Sequence, residues 1–222
     1  MTPKSFVEIF RTALPDKVKA LVNLGVAFMP RNPVIKFVDG FRAFFGDDFY
    51  ICRFQNGDVG GRRDRKRFRF RGHCNGTQET LYIIRSNSSS LLIPKDEGFK
   101  AIKVPDTLPS WLSEEYIQYC ASKFDQKGFT GELNYYRAFD ITWELIAPWT
   151  GTQIKVPTKF IVGDEDSTYH SPGVKQYVES GGFKKVVPAL QEVVIIEEAA
   201  HFINQAKPEE ISAHIYDFIK KF

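Results

Sequence analysis

The sequence predicts an α/β protein with a parallel sheet, and three observations support this class. Residues 18–24, 159–163 and 192–197 form short apolar runs, as strands buried on both faces do. From residue 155 onward the pattern is strand, helix, strand, helix, which is typical of a parallel sheet covered by helices. Hydrophobic residues make up 43% of the 222 residues, as in globular domains.

The elements begin with a predicted amphipathic helix at residues 5–14, which Pro15 would end, followed by the apolar strand at 18–24. Apolar residues at near-helical spacing predict a second helix at 34–46, ending near Gly46. Residues 56–76 and 86–90 interrupt this pattern and are interpreted as loops, because they are rich in glycine, arginine and serine.

Helix signals are clearer in the second half. Ser113 is a candidate N-cap with acidic residues behind it, and this helix is predicted to run to about Lys123. A further single helix is predicted for residues 132–143. Pro208 begins a last amphipathic helix. Its expected apolar face consists of Ile211, Ile215, Phe218 and Ile219.

Composition excludes several classes of protein. A formal net charge of +3 gives no strong preference for nucleic acid or membrane surfaces. Cys52, Cys74 and Cys120 are odd in number and form no Cys-x-x-Cys pair, which argues against a disulfide framework or a zinc site. No run of 18 apolar residues and no signal-peptide core are present. We therefore expect no membrane span and a cytoplasmic location.

Two titratable residues follow predicted strands at positions where parallel sheets carry functional groups. Asp166 comes after the strand at 159–163, and His201 comes after the strand at 192–197. An acid followed by a histidine is the order of the last two members of a nucleophile–acid–histidine triad. Alternatively, Asp166 caps the next helix and His201 is an ordinary loop histidine. Position alone leaves both interpretations open.

Several blocks of sequence carry a more specific signal, because they occur in the same order in one enzyme family. The blocks are Pro15-Asp-Lys-Val-Lys-Ala-Leu-Val-Asn-Leu24, Asn134-Tyr-Tyr-Arg-Ala138, Ala147-Pro-Trp-Thr-Gly151, Lys159-Phe-Ile-Val-Gly-Asp164, Gly181-Gly-Phe-Lys-Lys185 and Ala200-His-Phe-Ile-Asn-Gln-Ala-Lys-Pro-Glu-Glu210. Together they resemble plant soluble epoxide hydrolases of the α/β-hydrolase fold. The resemblance covers residues 15–55 and 91–222.

The resemblance implies an incomplete α/β-hydrolase fold, with C-terminal parallel strands and helices and a helical lid. On this basis residues 1–30 are part of the core and residues 31–150 form the lid, with a divergent basic loop at 56–90. Residues 151–222 are the C-terminal part of the core.

The resemblance also implies a two-step opening of epoxides to diols. A carboxylate attacks an epoxide carbon and forms an ester, while two lid tyrosines donate hydrogen bonds to the epoxide oxygen. Tyr50 and Tyr136 match these tyrosines, Asp166 matches the acid, and His201 matches the base that activates water. Without the resemblance, each tyrosine would be interpreted as a packing aromatic. No metal or organic cofactor is implied.

The sequence departs from the family in its nucleophile. The His-Asp-Trp-Gly-like turn that carries the nucleophilic aspartate would lie at or just before Met1, and the 222 residues contain no such turn. Asp16 follows a proline at a predicted helix end and is no substitute. We therefore expect a chain that is inactive alone. We also expect it to fold poorly alone, because an unpaired apolar edge strand favours aggregation.

A second departure lies at Arg62-Arg-Asp-Arg-Lys66, where relatives have an acidic Gly-Glu-Ile-Glu run. A shift of one base in the reading frame could convert one run into the other, so 62–90 is hypothesised to be frame-shifted. The alternative is nucleic-acid binding by residues 62–71, where arginines alternate with Phe68 and Phe70. One such run is weak evidence, and we expect no nucleic-acid partner.

Three functions remain at this point. The first is an epoxide hydrolase acting on small-molecule epoxides, with fatty-acid epoxides suggested by the resemblance. The second is a non-catalytic remnant that interacts with another protein. The third is a haloalkane dehalogenase, which shares the catalytic logic, although Tyr50 and Tyr136 favour epoxides. A homodimer is left open by the sequence.

Overall fold

The structure is a computed structural model that describes residues 17–55, 92–97 and 108–222. Its sheet has three parallel strands in the order β1–β2–β3. They are β1 (Leu21–Leu24), β2 (Thr158–Gly163) and β3 (Leu190–Ile196). The predicted parallel α/β class is therefore confirmed. The predicted helix at 5–14 and the segments at 56–76, 62–71 and 86–90 lie outside the described residues.

Strand β1 is shorter than predicted because its partner, strand β2, begins only at Thr158. Leu21 pairs with Thr158, and the preceding Pro157 has no N–H with which to extend the ladder. Leu21 N–H donates to Pro157 O at 2.9 Å, which is the first hydrogen bond of this ladder. Residues 18–20 therefore precede the strand.

The central strand β2 is buried along its whole length. Phe160 and Val162 belong to an apolar cluster on one face of the sheet. Ile161 belongs to the cluster on the other face, where Ile203 and Ile211 pack against it. Side chains alternate between faces along a strand, so both faces of the sheet are covered.

Four helices accompany the sheet. They are α6 (Val174–Glu179), α7 (Gly182–Val186), α8 (Ile203–Ala206) and α9 (Pro208–Ile219). The helix expected between the last two strands is thus a pair of short helices. Helix α9 starts at Pro208 as predicted and buries Ile211 and Phe218. Ile219 was predicted on the same apolar face, but it is 49% exposed.

The other helices within the described residues are α1 (Phe37–Phe45), α2 (Tyr50–Gln55), α3 (Glu114–Lys127), α4 (Thr130–Arg137) and α5 (Phe139–Leu145). A short 3₁₀ turn follows at Ala147–Trp149. Helix α1 ends at Gly46 as predicted, and Ser113 caps α3 by accepting a hydrogen bond from Tyr116 N–H at 3.1 Å. No described helix is long and apolar enough to cross a membrane.

Two helix predictions were wrong, one in the position of the helix end and one in the number of helices. Helix α3 continues to Lys127 rather than Lys123, because the residue that can leave the helix with a positive φ is Gly128 (φ 72°). The predicted single helix at 132–143 is divided into α4 and α5 at Ala138, whose ψ of 0° departs from helical geometry.

The described residues divide into two compact units. One contains residues 17–33 and 145–222, and the other contains residues 34–55, 92–97 and 108–144. The predicted boundaries at 30/31 and 150/151 differ from these divisions, at 33/34 and 144/145, by three and six residues. As assignments of core and lid, they stay predictions.

Candidate active site

The loops after β2 and β3 are joined by backbone hydrogen bonds. Asp164 N–H donates to Ile196 O at 3.0 Å, and Glu165 N–H donates to Ala199 O at 3.0 Å. The Asp164 side chain adds a third contact, because its Oδ1 accepts from Ala199 N–H at 3.2 Å. These contacts hold the two loops side by side at the carboxyl edge of the sheet.

The joined loops bring Asp166 and His201 together. His201 Nδ1 lies 3.0 Å from Asp166 Oδ2, although the residues are 35 positions apart. Asp166 is fully buried, whereas the His201 side chain is 27% exposed. A carboxylate only accepts hydrogen bonds, so this contact assigns the proton to Nδ1. His201 Nε2 is then the nitrogen that can accept a proton.

The second oxygen of Asp166 has its own donors. Asp166 Oδ1 accepts from Thr168 N–H at 2.7 Å and from the Thr168 hydroxyl, also at 2.7 Å. Burial by itself raises the pKa of Asp166. The hydrogen bond and charge of His201, together with the two Thr168 donors, outweigh burial and lower the pKa below its ordinary value. The carboxylate is therefore held in its ionised form.

The end of β1 also reaches this site, through Gly25. Its N–H donates to Ile161 O at 2.8 Å, and its φ is 75°, a conformation that favours glycine. A Cβ at this position would lie 3.4 Å from Asp166 Oδ2 and 3.6 Å from the His201 ring. Glycine thus allows the first strand end to lie beside the acid–histidine pair.

In the other unit the structure brings Tyr50 and Tyr136 together. Tyr50 is the first residue of α2, Tyr136 lies in α4, and their ring centroids are 5.7 Å apart at an interplanar angle of 78°. Phe54 contacts both rings, with centroids at 5.6 and 5.1 Å. Burial raises the pKa of Tyr136. Its phenol therefore remains a hydrogen-bond donor at neutral pH.

Each sequence-predicted pair is thus assembled within its own unit. Residues that sequence reasoning missed are Thr168 and Gly25. A usable signal for Thr168 was its position two residues after Asp166, since an aspartate often accepts a hydrogen bond from the backbone N–H two positions later. Gly25 follows β1 directly, but no local pattern identifies the side chains beside it. Within the described part of the chain, no cluster of His, Cys, Asp or Glu could hold a metal ion.

Comparison with known proteins gives a consistent set of relatives, although no protein-family model matches the chain. Epoxide hydrolase 3 of Siraitia grosvenorii is 58% identical over 208 residues, which are 94% of this chain and 64% of that protein. The structure of epoxide hydrolase I from potato (Solanum tuberosum) is 53% identical, with a TM-score of 0.83. The match covers 95% of this chain and 64% of that structure.

A laboratory-evolved variant of the potato enzyme extends the match. It is 50% identical with a TM-score of 0.87, and the match covers 99% of this chain and 67% of the variant. The chain therefore spans about two thirds of the length of these proteins.

Proposed function

Because this chain belongs to the epoxide hydrolases of the α/β-hydrolase fold, we propose that it supplies two functional pairs of such an enzyme. Asp166 and His201 activate water, and Tyr50 and Tyr136 polarise the epoxide. The observation that carries the proposal is the 3.0 Å hydrogen bond between buried Asp166 and partly exposed His201. The 222 residues contain no His-Asp-Trp-Gly turn, so the proposal assigns the nucleophilic carboxylate to a segment they do not include.

In the first step a carboxylate oxygen forms a bond to an epoxide carbon, and the carbon–oxygen bond of the ring breaks. The epoxide oxygen becomes an alkoxide that takes a proton from a tyrosine hydroxyl. Tyr50 and Tyr136 suit this role because their rings are in contact and burial favours the protonated phenol of Tyr136. Donors directed at a developing oxyanion commonly supply a large share of catalysis.

In the second step water hydrolyses the ester. His201 Nε2 takes a proton from water while Nδ1–H donates to Asp166 Oδ2, and the resulting imidazolium faces a carboxylate that stays ionised. The hydroxide attacks the ester carbonyl, and the diol leaves as the carboxylate is restored. Water supplies two protons, the one on His201 and the one that the attacking oxygen retains. Together they protonate the departing diol oxygen and restore the tyrosine hydroxyl.

We also propose a substrate class, an oligomeric state and a cellular compartment for the enzyme. We take the substrate to be a small-molecule epoxide of the fatty-acid type, because of the resemblance to plant soluble epoxide hydrolases. We also propose that the enzyme can form a homodimer, although the structure describes a single chain and no interface. A cytoplasmic location is proposed because Cys52 and Cys120, the cysteines within the described residues, are both free thiols.

The test supplies the missing segment. The part of potato epoxide hydrolase I outside the matched 64% is fused to this chain, and diol formation from a fluorogenic epoxide is measured. We expect turnover from the fusion and none from the 222 residues alone. A folded fusion without turnover would contradict the proposal and favour a non-catalytic remnant. Turnover by the unfused chain would contradict the assignment of the nucleophile.

A variant of the fusion separates the two steps. His201→Gln should react with the epoxide and then accumulate the covalent ester, because no base activates the water. Intact-mass measurement detects the added substrate. His214→Gln, in helix α9, is the matched control and should turn over normally. Substrate consumption by His201→Gln without accumulated ester would remove His201 from the role of base.

A further inference from the structure

Thr168 makes three polar contacts with two groups of the acid–histidine site without belonging to the pair itself. Its N–H and its hydroxyl both reach Asp166 Oδ1 at 2.7 Å. The same hydroxyl oxygen lies 3.4 Å from Gly25 O, at the end of β1. Thr168 is therefore the side chain that links the end of the first strand to the acid.

The Thr168 hydroxyl has one proton, and two acceptors lie near it, Asp166 Oδ1 and Gly25 O. The carboxylate oxygen is charged and 0.7 Å nearer than the carbonyl oxygen of Gly25 (2.7 against 3.4 Å), so the proton belongs to Asp166. With two donors on Oδ1, the carboxylate cannot rotate without losing both. Its other oxygen, Oδ2, is thereby kept directed at His201 Nδ1.

We propose that Thr168 is a positioning residue. Its hydroxyl holds the Asp166 carboxylate in one orientation, and that orientation sets the tautomer of His201. The residue does not contact a reacting atom. It acts by keeping the proton of His201 on Nδ1, so that Nε2 is free to accept a proton from water. The contribution of Thr168 to catalysis rests on the proposed function, whereas its effect on Asp166 and His201 does not.

The groups that face Asp166 come from three loops. His201, from the loop after β3, is the titratable partner, and Thr168, from the loop after β2, contributes two uncharged donors. Gly25, after β1, contributes backbone alone. Asp164 directs a carboxylate oxygen to Ala199 N–H. Loss of the hydroxyl therefore leaves Oδ1 with the backbone N–H of Thr168.

The test measures the fusion protein by NMR and needs no turnover. Thr168→Val removes the hydroxyl at nearly constant shape, and Thr168→Ser keeps it. Thr158→Val is the matched control, because Thr158 is also buried and donates its hydroxyl to Val156 O at 2.9 Å, away from the pair. The observables are the titration of the Asp166 carboxyl carbon and the ¹⁵N shifts of the His201 ring.

We expect Thr168→Val to raise the pKa of Asp166 and to reduce the fraction of His201 protonated at Nδ1, since a donor to the charged form is lost. Thr168→Ser and Thr158→Val should resemble the unsubstituted fusion. Unchanged titration and tautomer in Thr168→Val would overturn the proposal. If that variant does not fold, Thr168→Ala carries the same comparison. In the unsubstituted fusion, rapid exchange of the Thr168 hydroxyl proton with water would also overturn it.

Turnover by the fusion protein adds a readout for catalysis. Thr168→Val should slow hydrolysis of the ester by about tenfold and leave its formation unchanged, because a hydrogen bond to a charged group is worth roughly that factor. An inactive fusion with altered NMR titration would contradict the proposed function while supporting the role of Thr168. An active fusion in which Thr168→Val leaves the titration of Asp166 unaltered would support the proposed function and contradict the role of Thr168.

Discussion

Gly163, the last residue of β2, lies so close to Ala199 that a Cβ at position 163 would be 1.9 Å from the carbonyl oxygen of Ala199. No side chain tolerates that distance, and the obstacle is backbone rather than a flexible side chain. The approach sits directly before the loop that carries Asp166 and within the loop that carries His201. Close contact between the two loops therefore depends on the absence of a side chain at Gly163.

Gly163→Ala should destabilise the chain by at least about 2 kcal/mol, because the backbone at 199–200 has to move. Urea unfolding followed by circular dichroism measures this loss. Gly131→Ala, in α4, is the control, since a Cβ there meets nothing within 4 Å. Equal stability of the two variants would show that the 199–200 backbone yields at little cost.

Acid pH should weaken the unit that contains Asp166. Burial opposes its ionisation, but His201 and Thr168 lower its folded pKa below the ordinary 3.8. A lowered pKa contributes stability that is complete above 3.8 and is lost as the pH falls through the folded pKa. The stability gap between the chain and Asp166→Asn should therefore be wide at pH 6 and narrow at pH 3. Urea midpoints at both values measure it, and a gap independent of pH would contradict the assignment.

The two tyrosines should matter for ester formation. In the fusion protein, replacing Tyr50 and Tyr136 together by phenylalanine should slow alkylation by a factor on the order of 100 or more, because the developing alkoxide loses its donors. Rapid-mixing measurement of ester formation gives the rate. Tyr135→Phe changes a neighbouring ring in the same helix and should have little effect. Normal alkylation in the double variant would sink the two-tyrosine assignment.

Lys159 offers a test of stability within the sheet. Its side chain is 5% exposed, its Nζ lies 3.0 Å from Glu192 Oε2, and it donates to His214 O at 3.3 Å. Glu192→Gln leaves a buried ammonium without its counter-charge and should cost about 1 kcal/mol, discounted because Glu192 is half exposed. Lys159→Met removes the buried charge and should cost less than Glu192→Gln.

Urea unfolding ranks these variants. Lys175→Met is the control, since Lys175 and Glu179 form an exposed pair at 3.9 Å and its loss should not be measurable. A larger cost for Lys159→Met than for Glu192→Gln would mean that the ammonium contributes through His214 O rather than through the ion pair.

Local chemistry explains which elements could be predicted. Ser113 and Gly46 mark helix ends by properties of a single residue, and the structure places a helix boundary at each. The end of α3 was predicted four residues too early. The helix continues because no glycine or proline stands between Lys123 and Gly128. The division of 132–143 at Ala138 has no local cause in the sequence, since alanine is the best helix former.

The sequence by itself determined the apolar strands, their parallel direction and the positions of Asp166 and His201 after two of them, because hydrophobic runs and strand-helix alternation are local properties. Only the tertiary structure decided that the two side chains meet at 3.0 Å. That distance depends on the register of β2 and β3 and on the missing side chain at Gly163. Contacts of this kind arise from packing between distant segments, and no local pattern records them.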